Sequence, residues 1–204
     1  MQRADIKRCF DALNGQEMAD RWSGQRGDHD LNPGMQPQDN LTPAAVLVPL
    51  VDRPSGLTVL LTQRTAHLND HAGQISFPGG RVEPDDPSHQ AAALREAEEE
   101  VGLPPSHVEV IGTLDYYIVR SGYRVTPVVG FVNPPFEVKP DPFEVAEVFE
   151  VPLSFVINTD NHVMESRTDQ GVERTFYVLP YENRYIWGAT AGMLVNLTDV
   201  LAGR

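Results

Sequence analysis

Residues 73–103 read GQISFPGGRVEPDDPSHQAAALREAEEEVGL. The stretch parses as a short strand over Gln74–Phe77, a turn at Pro78-Gly79-Gly80, an acidic loop and one amphipathic helix. Asp86 is placed to N-cap that helix, Pro87 suits its first position and Gly102 suits its C′ position. At about 100° per residue, Leu94, Ala97 and Val101 fall on one face. Glu96, Glu99 and Glu100 fall on another, Glu98 points away from that trio, and Arg95 stands beside Glu99.

The glutamates sit at the wrong end for a plain surface helix. Carboxylates favour the first turn, where the helix dipole is positive, and these occupy the last two turns. Glu96 with Glu99 and Glu96 with Glu100 are like-charge pairs that each cost roughly 0.2–0.5 kcal/mol. Arg95 offsets part of this. A hard divalent cation, which takes carboxylate oxygens, reverses the balance. A solvated acidic face is the alternative for an arbitrary run of three glutamates, and the glycine turn upstream weighs against it because glycine lets backbone approach a ligand closely.

The run Arg95-Glu96-Ala97-Glu98-Glu99-Glu100-Val101-Gly102-Leu103, preceded by Gly79-Gly80, resembles the Nudix box. Two departures stand out. Gly80 lies one residue further from Arg95 than the general pattern has it, and the early glutamate is absent, with Asp85 and Asp86 near its place. The extra residue is shared with the coenzyme A branch of the family. That branch also carries an upstream signature, which Leu60-Leu61-Thr62-Gln63-Arg64, Gly73 and Phe77-Pro78-Gly79-Gly80 match in type and spacing. Thr65 replaces its usual serine or alanine, and Asn69 replaces its usual arginine.

The resemblance implies an α/β fold, a Nudix-type α/β/α sandwich with a mixed sheet between helices. It implies Mg²⁺ or Mn²⁺ held by Glu96, Glu99 and Glu100, with the Gly79-Gly80 backbone against metal or phosphates and Arg95 orienting the trio. It implies a glutamate base, and leaves Glu99, Glu144 and Glu147 as candidates. The reaction implied is cleavage of the diphosphate of coenzyme A, or of acyl-CoA, to 4′-phosphopantetheine and adenosine 3′,5′-bisphosphate. Arg64, Arg81 and position 69 are the expected substrate contacts; guanidinium offers a planar fork of donors to phosphate. The rivals are a Nudix hydrolase of ADP-ribose or a dinucleotide, a non-catalytic nucleotide sensor, and an isomerase on the same fold, for which no acid/base set is evident.

The rest of the chain fits around this centre. Residues 1–42 are expected to form an N-terminal helix over residues 3–14, with Ile6, Phe10 and Leu13 on one side, and an extended lead-in; residues 43–204 form the hydrolase domain. Ala44–Leu50 and Leu57–Gln63 read as a hairpin, and Val108–Leu114 and Arg124–Val132 as further strands. Residues 136–150 read as an acidic segment, residues 163–178 as a hairpin, Tyr185–Trp187 as a strand, and the chain from Gly188 or Thr190 to Leu201 as an apolar helix that packs on a sheet. His67 and His71 read as loop hydrogen-bonding or substrate residues rather than metal ligands.

A net charge of −13 over 204 residues argues against sequence-blind nucleic-acid binding and anionic membranes. The single cysteine, Cys9, excludes an internal disulfide and suits a reducing compartment. With no apolar run near 18 residues and no signal-peptide pattern, a cytoplasmic protein is expected. The expected partner is a small-molecule substrate; a homodimer is compatible with the sequence and not read from it.

Overall fold

The alternation in AAVLVPLV sets the frame. In the computed structural model, which describes residues 1–14, 26–36, 38–67, 72–169 and 171–203, this run is the centre of strand β2 (Thr42–Arg53). Its even-numbered Ala44, Val48 and Leu50 face one core, and its odd-numbered Ala45, Leu47 and Val51 face a second core on the other side. A strand buried on both faces needs covering layers on both sides.

β2 is parallel along its length to β8 (Tyr123–Val132), from Thr42 opposite Tyr123 to Val51 opposite Val132. On its other edge it is shared. Its first half pairs with β5 (Gly79–Arg81) and its last residues form a hairpin with β3 (Gly56–Arg64). β3 in turn pairs with β4 (Ile75–Ser76) and β9 (Val145–Pro152). β8 carries β6 (Val108–Thr113) at one end and β7 (Tyr117–Val119) at the other, and β1 (Arg26–Gly27) pairs in parallel with β7. The result is a mixed nine-stranded sheet.

One face is covered by helix α2 (His89–Val101), whose Ala92, Ala93, Ala97 and Val101 are completely buried against Ala45, Leu47, Leu60 and Val128. Three alanines let the helix lie close to the sheet. The other face is covered by α1 (Arg3–Asn14), through Ile6 and Phe10, and by the C-terminal helix. Between β9 and that helix come the short α3 (Leu153–Val156) and a three-stranded antiparallel sheet of β10 (Val163–Asp169), β11 (Val172–Tyr181) and β12 (Arg184–Trp187). The C-terminal helix, α4 (Ala189–Leu201), buries Leu194, Leu197 and Leu201. The fold is an α/β one, a mixed sheet flanked by helices. Among the described residues no helix is long and apolar enough to cross a membrane.

Three sequence readings change. Gly79-Gly80 is not a free turn but part of β5, because the first half of β2 leaves an edge whose backbone groups need partners. The N-cap of α2 is Ser88, whose side chain accepts from Ala91 N; Asp86 is drawn elsewhere. The acidic segment 136–150 becomes strand at Val145, so Glu147 lies inside β9. In the lead-in, residues 15–25 and 37 lie outside the described residues, while the buried Asn32 bonds both backbone groups of Thr175.

Candidate active site

The C-terminal end of α2 is built to stop. Gly102 has φ 69° and closes a left-handed cap, its N–H donating to Glu98 O, while Leu103 N reaches Ala97 O. Residues 139–141 then return to the same helix end: Lys139 N donates to Val101 O and Asp141 N to Glu100 O, both at 2.9 Å. This return positions Glu144 near the glutamates of α2. It is fastened to the end of β3 as well, through Thr65 N to Glu144 O at 2.9 Å and Thr65 Oγ1 to Phe143 O at 2.8 Å. His67 packs edge-on against Phe143, with ring centroids 4.9 Å apart.

Strand parity settles which side chains meet there. In β3, Leu60 faces the α2 core while Val59 and Leu61 face the opposite one, so Arg64 shares the α2 face with Leu60. Its guanidinium lies 3.6 Å from Glu100 and 3.8 Å from Glu144. In β9, Phe149 and Val151 face the far core, and Glu147 goes with them. Glu147 is ion-paired to Arg184, whose guanidinium lies 4.3 Å from the centroid of the Phe149 ring. The two candidate glutamates, three residues apart, are thus separated by the sheet: Glu144 joins the α2 cluster and Glu147 does not.

Glu100 is the deepest of the cluster, 5% exposed, and accepts from Gly79 N at 3.2 Å. Burial pushes its carboxyl up to about 7, against the pull of the Gly79 N–H and Arg64 and with the help of Glu96 and Glu144. Burial also raises the Glu96 carboxyl, against its hydrogen bond from Arg95. Glu99 is at the rim, its side chain 60% exposed. Arg95 bridges the two, donating from Nη1 to Glu96 at 2.9 Å and to Glu99 at 3.0 Å. Its other edge forks onto Asp86 at 3.1 and 3.0 Å and reaches the Arg81 carbonyl at 3.2 Å. These bonds hold the Arg95 guanidinium protonated, its pKa raised chiefly by Asp86. Arg81 itself donates to the Tyr123 hydroxyl at 2.8 and 3.1 Å.

The glycines are where side chains would intrude. A Cβ at Gly80 would stand 2.6 Å from Glu96 Oε1, and a Cβ at Gly79 2.5 Å from the Ala45 carbonyl. Gly80 therefore leaves the Glu96 carboxylate a backbone wall to lie against. Among the described residues no three acidic, histidine or cysteine side chains converge into a ready-made cation cage. The donor set is open, with Glu96 and Glu100 inside and Glu99 at the rim. Mg²⁺ and Mn²⁺ suit such a set, since hard cations take carboxylate oxygens and Mg²⁺ keeps several waters.

Residue by residue, Glu96, Glu99, Glu100, Arg95, Arg64, Arg81, Gly79, Gly80 and Glu144 are brought to one neighbourhood. Asn69 and His71 lie outside the described residues. Asp86 was not read as a site residue; its signal was its position near the missing early glutamate. A cleft of about 610 Å³ lined by residues from His29 to Gln36, Gln38, the end of β7 and the start of β11 contains none of these groups.

Comparison with known proteins agrees with this arrangement. A family model, the NUDIX domain, matches residues 41–167. The chain is 46% identical over 169 residues to the Nudix hydrolase NudL of Shigella flexneri, covering 80% of this chain and 87% of the relative. It is 47% identical over 155 residues to NudL of Escherichia coli K12, covering 76% and 80%. Among solved structures, the Nudix hydrolase RenU of M. smegmatis superposes with a TM-score of 0.56 at 23% identity, over 80% of this chain and 88% of that one, which is a likeness of fold. With the glutamate helix, the glycine strand and these relatives in agreement, the chain belongs to the Nudix hydrolase family.

Proposed function

We propose that this Nudix hydrolase cleaves the diphosphate of coenzyme A, and of acyl-CoA, giving 4′-phosphopantetheine and adenosine 3′,5′-bisphosphate, with Mg²⁺ or Mn²⁺ at Glu96, Glu99 and Glu100. The observation that carries the reading is the upstream signature that includes Arg64 and ends in Gly79-Gly80. Two of its members lie beside Glu100: the Arg64 guanidinium is 3.6 Å away and Gly79 N donates to it. A signature that borders the chemistry bears on which diphosphate is held there.

When bound, the divalent cation neutralises phosphoryl oxygens and acidifies the attacking water. The chain's own residues do the rest. Arg64 presents N–H groups to a phosphate on the α2 face of the sheet. Arg95 holds Glu96 and Glu99 in register and is itself locked by Asp86. Glu144 takes the proton of the attacking water. It stands among Glu96, Glu100 and Arg64 with its side chain 43% exposed, so water reaches it, whereas Glu147 faces the other core. Water adds to one phosphorus, the bridging P–O bond breaks, and the second phosphate leaves with the bridging oxygen.

The test is product analysis with coenzyme A, ADP-ribose, NADH and a diadenosine polyphosphate, each with Mg²⁺, Mn²⁺ or chelator. Cation-dependent release of adenosine 3′,5′-bisphosphate, faster than cleavage of the others, is the expected result. Preference for another substrate would move the reading to ADP-ribose or dinucleotides, and inertness on all four to a nucleotide sensor. In the same assay Glu144→Gln should lower kcat by about 10²–10⁴, while Glu147→Gln stays within about twofold. Equal losses would remove Glu144 as the base.

A further inference from the structure

The outer edge of β10 has no pairing strand among the described residues. β10 is bonded to β11 over seven continuous register pairs, from Val163 opposite Val178 to Asp169 opposite Val172. It contains no proline, and no register shift interrupts the ladder. Its first six residues are all exposed, Met164 at 62%. Open edges of this kind are templates for another strand, and proteins commonly blunt them with prolines, bulges or lysines. This edge carries none of the three, and its charged residues, Glu165, Arg167 and Asp169, are of both signs.

The hydrogen-bond phase of that edge is readable. Ser166 stands opposite Thr175. Thr175 gives its N–H to Asn32 Oδ1 and takes Asn32 Nδ2 on its carbonyl, both at 2.9 Å. Both backbone groups of Thr175 therefore point away from β10, so Ser166 and Thr175 form a non-hydrogen-bonded pair. By alternation, the N–H and C=O of Met164, Ser166 and Thr168 point outward, into solvent.

An antiparallel copy of the same strand fits those groups. Pairing about Ser166 sets Ser166 against itself across a two-fold axis and Met164 against Thr168 of the other copy. These are the positions whose backbone groups face out, and they give about six inter-chain backbone hydrogen bonds. Between them, Glu165 falls opposite Arg167 of the other copy, twice, at the non-hydrogen-bonded positions where side chains approach most closely. Both side chains are already held on one face of the small sheet. Glu165 accepts from the Tyr185 hydroxyl, and Arg167 donates to it while lying over Phe176, Tyr185 and Trp187.

We propose that β10 is a homodimerisation edge: two copies join antiparallel about Ser166 into one continuous sheet, with reciprocal Glu165–Arg167 pairs fixing the register. The assembly is isologous and closed, so it stops at two.

Sedimentation equilibrium of the full chain over a concentration series tests it. The expected result is reversible approach to twice the monomer mass. Ser166→Pro removes an N–H that the monomer does not use and that the dimer needs, and proline is tolerated on a solvent-facing edge; it should remain folded and monomeric. Glu165→Arg or Arg167→Glu alone puts like charges opposite and should raise the dimer dissociation constant at least about tenfold. The double variant should recover dimerisation. A wild-type chain monomeric throughout, a dimer untouched by Ser166→Pro, or a double variant no better than either single one would overturn the proposal. Should Ser166→Pro fail to fold, the charge swaps decide alone.

Discussion

Gly79 and Gly80 are neighbours in β5, yet a methyl group at each would meet different things. At Gly79, with φ 156°, it would press on the Ala45 carbonyl at 2.5 Å and Val46 Cα at 2.6 Å. Both are backbone atoms of the central strand, which cannot give without disturbing the β2–β5 ladder. At Gly80 the obstacle is the Glu96 carboxylate, the far end of a flexible side chain. Gly79→Ala should therefore cost stability, roughly 1–3 kcal/mol, seen as a lower midpoint in thermal denaturation. Gly80→Ala should leave the midpoint nearly unchanged and lower cation affinity about 10–100-fold by displacing Glu96. Equal destabilisation by the two would mean that Gly80 serves the sheet and not the carboxylate. The same contrast explains why a bare GG pair is hard to read: one glycine is hemmed in by the backbone of the sheet and the other by the Glu96 carboxylate, and composition alone does not tell them apart.

Helix α2 shows how a correct element can carry a misplaced beginning. Periodicity and Gly102 give its face and its end, because both depend on local geometry. Its start depends on a competition. Asp86 has the right chemistry for a cap, but Arg95, nine residues on, offers it a charge-assisted fork at 3.0 and 3.1 Å, and Glu83 N adds a third bond at 2.8 Å. Ser88, without such an offer, takes the cap at Ala91 N. Ser88→Ala should then cost about 1 kcal/mol of stability with kcat nearly intact. Asp86→Ala should spare the helix start and reduce kcat, because it frees Arg95 from the loop. The reverse pattern, read by thermal denaturation and turnover, would return the cap to Asp86. Strand readings follow the same logic. Arg64 was legible as a candidate site residue, and the alternation in LTVLLTQR would also have put it on the α2 face, where it lies 3.6 Å from Glu100. Which of Glu144 and Glu147 lies beside the α2 glutamates was not legible. It rests on β9 beginning at Val145, and on the return of residues 139–141 to the end of α2, a long-range contact without a local sequence signal.

At the scale of the whole molecule, a chain of net charge −13 folds several carboxylates into one end of one helix and buries the innermost. Buried carboxylates are costly unless paired. Arg64 and Arg95 pair them only in part, since Glu100 meets Arg64 no closer than 3.6 Å and has burial as the dominant influence on its proton. The fold thus carries an electrostatic deficit that a divalent cation would relieve, and binding to the folded state alone must raise stability. At a cation concentration about 100 times its dissociation constant the gain is about 2.7 kcal/mol. For a chain of this size that is a rise of roughly 5–10 °C in the unfolding midpoint. Thermal denaturation with chelator, then with Mg²⁺ or Mn²⁺ added, measures it without reference to any substrate. Glu100→Gln should move the two curves together: the chelated protein gains stability because a buried charge is gone, and the cation response shrinks because a ligand is gone. A cation response that survives intact in Glu100→Gln would place the ion elsewhere, and no response in the unaltered chain would sink the cation reading of the glutamate helix.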